Sequence, residues 1–151
     1  MIGDNEFDLL VIDDEPEILR LLTVACGDLS LSLQTADSVA AAREKLAHFS
    51  FKVVLSYHNL ADGNGVDFLA EMLGSCVDAV PILMTGLLDV NVAVQAINRG
   101  KVFKFVTKPL DLGALTQAGR RGLEHWTSQR EQARLTRGIV DPSVLPLVRL
   151  W

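Results

Sequence analysis

Two kinds of apolar segment alternate along this chain, and that alternation admits few architectures. Short apolar or β-branched runs recur at residues 9–12, 31–35, 53–55, 80–84 and 102–106, each short enough to be a strand. Longer stretches with helical spacing lie between them. In the first, Ile18, Leu19, Leu22 and Cys26 share one face. Pro16 suits its opening turn, where a missing N–H costs nothing, and the helix is predicted to end near Gly27. Ser38 can cap a second helix over 40–47. A third, over 65–73, turns Val66, Leu69, Met72 and Leu73 inward. A fourth, over 89–99, uses Val90, Val94 and Ile97 and stops at Gly100, and Asp111 caps a fifth. Five strands alternating with five helices through right-handed crossovers predict an α/β fold: a five-stranded parallel sheet, doubly wound, with helices on both faces. Strands one and three of such a sheet are buried on both sides and should be continuously apolar, as LLVI and VVL are.

At 151 residues and 49% hydrophobic the chain can bury a core without dividing into two full domains. A formal charge of -5 argues against a nucleic-acid binder, which needs a basic footprint to neutralise phosphates. The charge is uneven. Residues 1–118 carry 16 acidic and 8 basic side chains, a net of -8; residues 119–151 carry 3 and 6, a net of +3. From Thr127 the sequence TSQREQARLTRG is polar without a sustained heptad and reads as a solvated extension of helix five. For the following IVDPSVLPLVRLW, three readings stay open: a docking segment, a linker to an output domain, or a frayed terminus. Cys26 and Cys76 lack a second ligand at metal spacing and read as reduced core thiols. His48, His58 and His125 form no relay and read as exposed spectators. The start MIGDNEFD is not a signal peptide and no run has membrane-spanning length, so a cytoplasmic location is expected.

Ligands of open parallel sheets sit beyond the carboxyl ends of the strands, where strand order reverses. The strand ends there are Asp13-Asp14, Ser56-Tyr57, Thr85-Gly86 and Thr107-Lys108-Pro109. Two acids, a hydroxyl and an ammonium suit Mg²⁺ with a phosphoryl group: carboxylates hold the hard cation, while Lys and a hydroxyl neutralise phosphoryl oxygens. By themselves, Asp13 and Asp14 could equally be an acidic helix start with Glu15.

In their order and spacing, LLVIDDEPEILRLL, MTG followed by DVNVAVQAINRG, and KFVTKPLD resemble the receiver domains of two-component response regulators, over residues 7–126. The resemblance implies a flavodoxin-like (βα)5 fold, with residues 127–151 as a helix extension and tail or linker. It implies that Asp13, Asp14 and the Asn59 backbone carbonyl form the metal site, that Thr85 is the switch hydroxyl, Phe105 the rotating aromatic, and Lys108 the phosphate-sensing lysine before a proline that is usually cis.

The sequence departs from the family in strand three. Receivers read D-x-x-M-P-x-x-x-G after this strand, and counting back from Gly65 puts the acceptor aspartate at position 57, where Tyr57 stands; Ala61 replaces the proline. A phenol is neutral near pH 7, with an ordinary pKa of about 10. It is no hard anionic ligand and forms no acyl phosphate. With one of three anionic ligands gone, Mg²⁺ is expected to bind weakly, and Lys108 is free to pair with Asp13 or Asp14. For Tyr57 two readings stay open: its ring fills the pocket, or it swings out as a contact residue.

The expected function is that of a receiver-like signalling domain, not an enzyme, acting through protein–protein interaction without phosphorylation. Expected partners are a kinase, an output module or an adaptor, with neither nucleic acid nor membrane. The face made by the fourth helix, fifth strand and fifth helix is a candidate for homodimerisation. One alternative is an ordinary phospho-accepting regulator in which Tyr57 is an engineered change or is bypassed by an acid such as Asp62. A more distant one is a flavodoxin-like small-ligand binder, against which DDEPE stands where a Gly-rich phosphate loop belongs.

Overall fold

A computed structural model describes residues 5–75, 77–86, 90–98, 102–108 and 112–138. Strands β1 (Glu6–Ile12), β2 (Leu33–Ala36), β3 (Ser50–Tyr57), β6 (Val80–Gly86) and β7 (Lys104–Lys108) form one sheet in the order β2-β1-β3-β6-β7. Every neighbouring pair in it is parallel. The order reverses between β1 and β3, which places the crevice at the ends of those two strands. A two-residue hairpin, β4 (Asn59–Leu60) and β5 (Gly63–Asn64), follows β3. The helices are α1 (Pro16–Asp28), α2 (Val39–His48), α3 (Gly65–Gly74), α4 (Val90–Asn98) and α5 (Leu112–Gly138).

The sheet divides the core in two. On one face Leu10, Ile12, Val54 and Leu83 pack with Leu69 and Met72 of α3 and Ala42 of α2. On the other, Val11, Val53, Ile82 and Met84 pack with Leu22 and Cys26 of α1 and Leu115 and Ala118 of α5. Burying each of the large aliphatic side chains contributes about 1.5–3 kcal/mol. Gly122 lets α5 lie close to the sheet, since a Cβ there would meet Val53 Cγ2 at 3.0 Å and Ile82 Cδ1 at 3.2 Å.

The five-stranded doubly wound sheet is the expected one, with local differences. Strand β2 begins at Leu33, not Leu31, and β7 at Lys104, not Val102; Leu31 and Val102 pack in the core ahead of the paired residues. In α4 it is Ala96 that is buried, with Ile97 half-buried, while Val94 is exposed. Cys26 is a buried free thiol. His48 is exposed, but His58 and His125 are half-buried, a correction to the spectator reading: His125 stacks on Phe103 at 4.4 Å between centroids. The helix-four bounds Asp89, Arg99 and Gly100, the Asp111 cap, Pro109, Cys76 and the tail from Ile139 lie outside the described residues. Residues 127–135 of α5 are exposed throughout, and no helix among the described residues is long and apolar enough to cross a membrane.

Candidate functional site

Three strand ends converge on one pocket. Asp13 follows β1, its N–H donating to the Ala36 carbonyl at 3.1 Å. Its side chain is fully buried. Tyr57 is the last residue of β3 and half-buried, packing against both core layers. The next residue, His58, ties the strand end to β6 by donating its N–H to the Met84 carbonyl at 2.7 Å. Lys108 is the last residue of β7, opposite Gly86 of β6.

The Lys108 ammonium closes the pocket. It lies 2.7 Å from Asp13 Oδ2 and donates to Glu15 Oε1 at 2.9 Å. It also stands 3.6 Å from the centroid of the Tyr57 ring. The other Asp13 oxygen, Oδ1, accepts the Glu15 N–H at 2.9 Å, turning the chain into α1. Burial pushes the Asp13 carboxyl above its usual range, against the opposing pull of Lys108 and the Glu15 N–H. Burial also disfavours the Lys108 ammonium, yet its bonds to Asp13 and Glu15 outweigh that and hold its pKa above the ordinary lysine value.

The expected site residues separate into two groups. Asp13, Tyr57 and Lys108 meet, as the strand ends predict. Asp14 is exposed, and the acid that joins Asp13 on Lys108 is Glu15. Glu15 was legible only as a third acid in DDE. Thr85 is fully buried, and its hydroxyl reaches the Gly86 carbonyl at a long 3.4 Å. Phe105 is half-buried against the core layer that includes Ala96 and Ile97 of α4. Asn59 is exposed in the hairpin. Asp62, the candidate bypass acid, is committed elsewhere: Oδ1 and Oδ2 accept the Val39 and Ala40 N–H groups at 2.8 and 3.1 Å, capping α2.

Receiver domains bind Mg²⁺ at their phosphorylation site, so the donor set can be compared with that ion. Mg²⁺ wants near-octahedral oxygen ligands at short distance. Here the buried carboxylate is occupied by an ammonium, Asp14 faces solvent, and β3 ends on a phenol. Among the described residues no three His, Cys, Asp or Glu side chains are grouped to hold a metal. The residues present do not fit the ion.

The family model described as response regulator receiver domain matches residues 9–120. Response regulator protein PilR of Pseudomonas aeruginosa is 33% identical over 135 residues, covering 89% of this chain and 30% of that protein. Transcriptional regulatory protein GlrR of Escherichia coli is 32% identical over 139 residues, covering 92% and 31%. The chain thus spans about a third or less of these relatives' length. A signal receiver domain of an HD domain-containing protein from Pseudomonas fluorescens superposes with a TM-score of 0.76 at 29% identity, covering 87% of this chain and 96% of that one. NtrX from Brucella abortus superposes at 0.79 with 26% identity, covering 86% and 30%. The chain belongs to the response regulator receiver domain family and is a receiver domain of two-component signalling.

Proposed function

We propose that this receiver domain signals by protein–protein contact without accepting a phosphoryl group, because Tyr57 stands at the acceptor position. The observation that carries the reading is the Tyr57 ring at the end of β3, 3.6 Å from the Lys108 ammonium, beside the buried Asp13. The family motif and the contact geometry support the same assignment of position 57. A phenol there forms no aspartyl phosphate, and Asp62, held on α2, offers no replacement.

The domain carries no catalytic role of its own in this reading. Its output surface is the face of α4, β7 and α5, where Val92 and Val94 are exposed and Phe105 is half-buried. That face suits a kinase, an adaptor, an output module or a second copy. The exposed half of α5 acts as the link onward from a domain of residues 7–126, in keeping with relatives several times longer than this chain. The setting is cytoplasmic.

The test is intact mass after incubation with acetyl phosphate and Mg²⁺. No added phosphate is expected, and a stable Mg²⁺-dependent adduct overturns the reading. Tyr57→Asp is the companion variant: phosphorylation gained there shows that the change at this position alone removes the acceptor.

A further inference from the structure

We infer that Lys108 is a resident counter-ion that takes the cation's place in the acidic pocket, with the Tyr57 ring as its seat, so that the pocket rejects divalent metal while both residues stand. A fully buried carboxylate needs a partner or it gives up its charge. Among the described residues the partner of Asp13 Oδ2 is Lys108 at 2.7 Å, while Oδ1 is taken by the Glu15 N–H. Three groups surround the Lys108 ammonium: Asp13 Oδ2 as an ion-pair partner at 2.7 Å, Glu15 Oε1 as its hydrogen-bond acceptor at 2.9 Å, and the π face of Tyr57 at 3.6 Å. The aromatic face attracts a cation most when both are withdrawn from water, and the Lys108 side chain keeps only 12% of its exposure.

The three contacts also link distant parts of the chain. Lys108 ends β7, Glu15 precedes α1 and Tyr57 ends β3, so the ammonium joins elements 93 residues apart. A dication entering this pocket must displace a cation already neutralised by its own anions, and must do so without an anionic oxygen from position 57. The inference deepens the phosphorylation-independent reading but rests on the contacts of Tyr57, not on its being an acceptor equivalent.

The test is titration of the whole chain with Mn²⁺, a paramagnetic ion that favours carboxylate oxygens, read by water-proton relaxation, with the Mg²⁺-dependent thermal shift alongside. The wild type is expected to show neither saturable binding nor a shift. Lys108→Met leaves Asp13 and Glu15 without their cation, and saturable Mn²⁺ binding is expected to appear, competed by Mg²⁺. Tyr57→Leu unseats the ammonium and moves in the same direction, whereas Tyr57→Phe keeps the ring and stays metal-insensitive. Saturable Mn²⁺ binding by the wild type overturns the inference, as does identical behaviour of Tyr57→Leu and Tyr57→Phe. If Lys108→Met does not fold, the wild type and the Tyr57 pair decide. Metal binding without phosphate uptake overturns this inference alone and leaves the proposed function standing; phosphate uptake on acetyl phosphate treatment overturns that function separately.

Discussion

Gly65 rests directly on the backbone of Tyr57: a Cβ at Gly65 would stand 2.1 Å from the Tyr57 carbonyl oxygen and 2.9 Å from Ser56 Oγ. The Gly65 N–H also donates to the His58 carbonyl at 2.8 Å. The first residue of α3 is thereby pressed against the strand end that carries the pocket. Gly65→Ala is expected to destabilise the fold by about 1–3 kcal/mol in urea denaturation, the usual range for overpacking against atoms that cannot move. Gly74→Ala is the control: it is the last residue of α3, nothing lies within 4 Å of its added Cβ, and little change in stability is expected. Equal effects of the two would show that the contact with Tyr57 is not a constraint.

Asp62 caps α2 from 23 residues away, and the two backbone N–H groups it accepts hold its carboxyl below the usual range. A carboxyl depressed in the fold contributes stability that is present above its unfolded pKa of about 3.9 and is lost as pH falls through the folded value. Asp62→Ala is expected to lower the thermal midpoint at pH 7. The gap between variant and wild type should close on acidification. A gap that stays constant to low pH would mean the carboxylate is not the cap.

Lys108 gives the opposite sign. Its pKa is raised in the fold, so its contribution is complete below the unfolded lysine value of about 10.4 and disappears as pH rises beyond it. The wild type is expected to lose thermal stability across that alkaline range more steeply than Lys108→Met, which has no ammonium to lose. Parallel curves for the two would show that the ion pair with Asp13 and Glu15 contributes nothing net.

Much of this was legible in the sequence because burial imposes patterns. LLVI and VVL announced two adjacent strands of the sheet, and the backbone contact between Gly65 and Tyr57 admits no side chain at that glycine. What stayed hidden was set by tertiary geometry. Val102 and Leu31 carry the apolar signal of strands but sit just ahead of the paired segments. The hairpin of β4 and β5 is too short to have a period. The Asp62 cap joins groups far apart in sequence, and nothing in DDE says that Glu15 reaches Lys108 while Asp14 does not. The exposure of Val94 shows the same limit: helical spacing gives a stripe, but packing decides which edge of it meets the sheet.

Thr85 tests whether a buried hydroxyl at the end of β6 biases a two-state element. Its side chain is fully buried, and among the described residues its hydroxyl makes one long contact, 3.4 Å to the Gly86 carbonyl. A buried hydroxyl so poorly bonded recovers little of what it lost in leaving water, and a methyl of the same shape does nearly as well. Thr85→Val is therefore expected to stay within about 1 kcal/mol of the wild type in urea denaturation. Phe105 packs against the core layer to which Ala96 belongs, and amide chemical shifts in α4 are expected to stay unchanged in this variant. A two-state element answers only to a group that contacts its two states differently. Shifts spreading along α4 from Ala96 to Ile97 in Thr85→Val would show that this hydroxyl still biases such an element, and that the domain keeps a second conformation despite Tyr57.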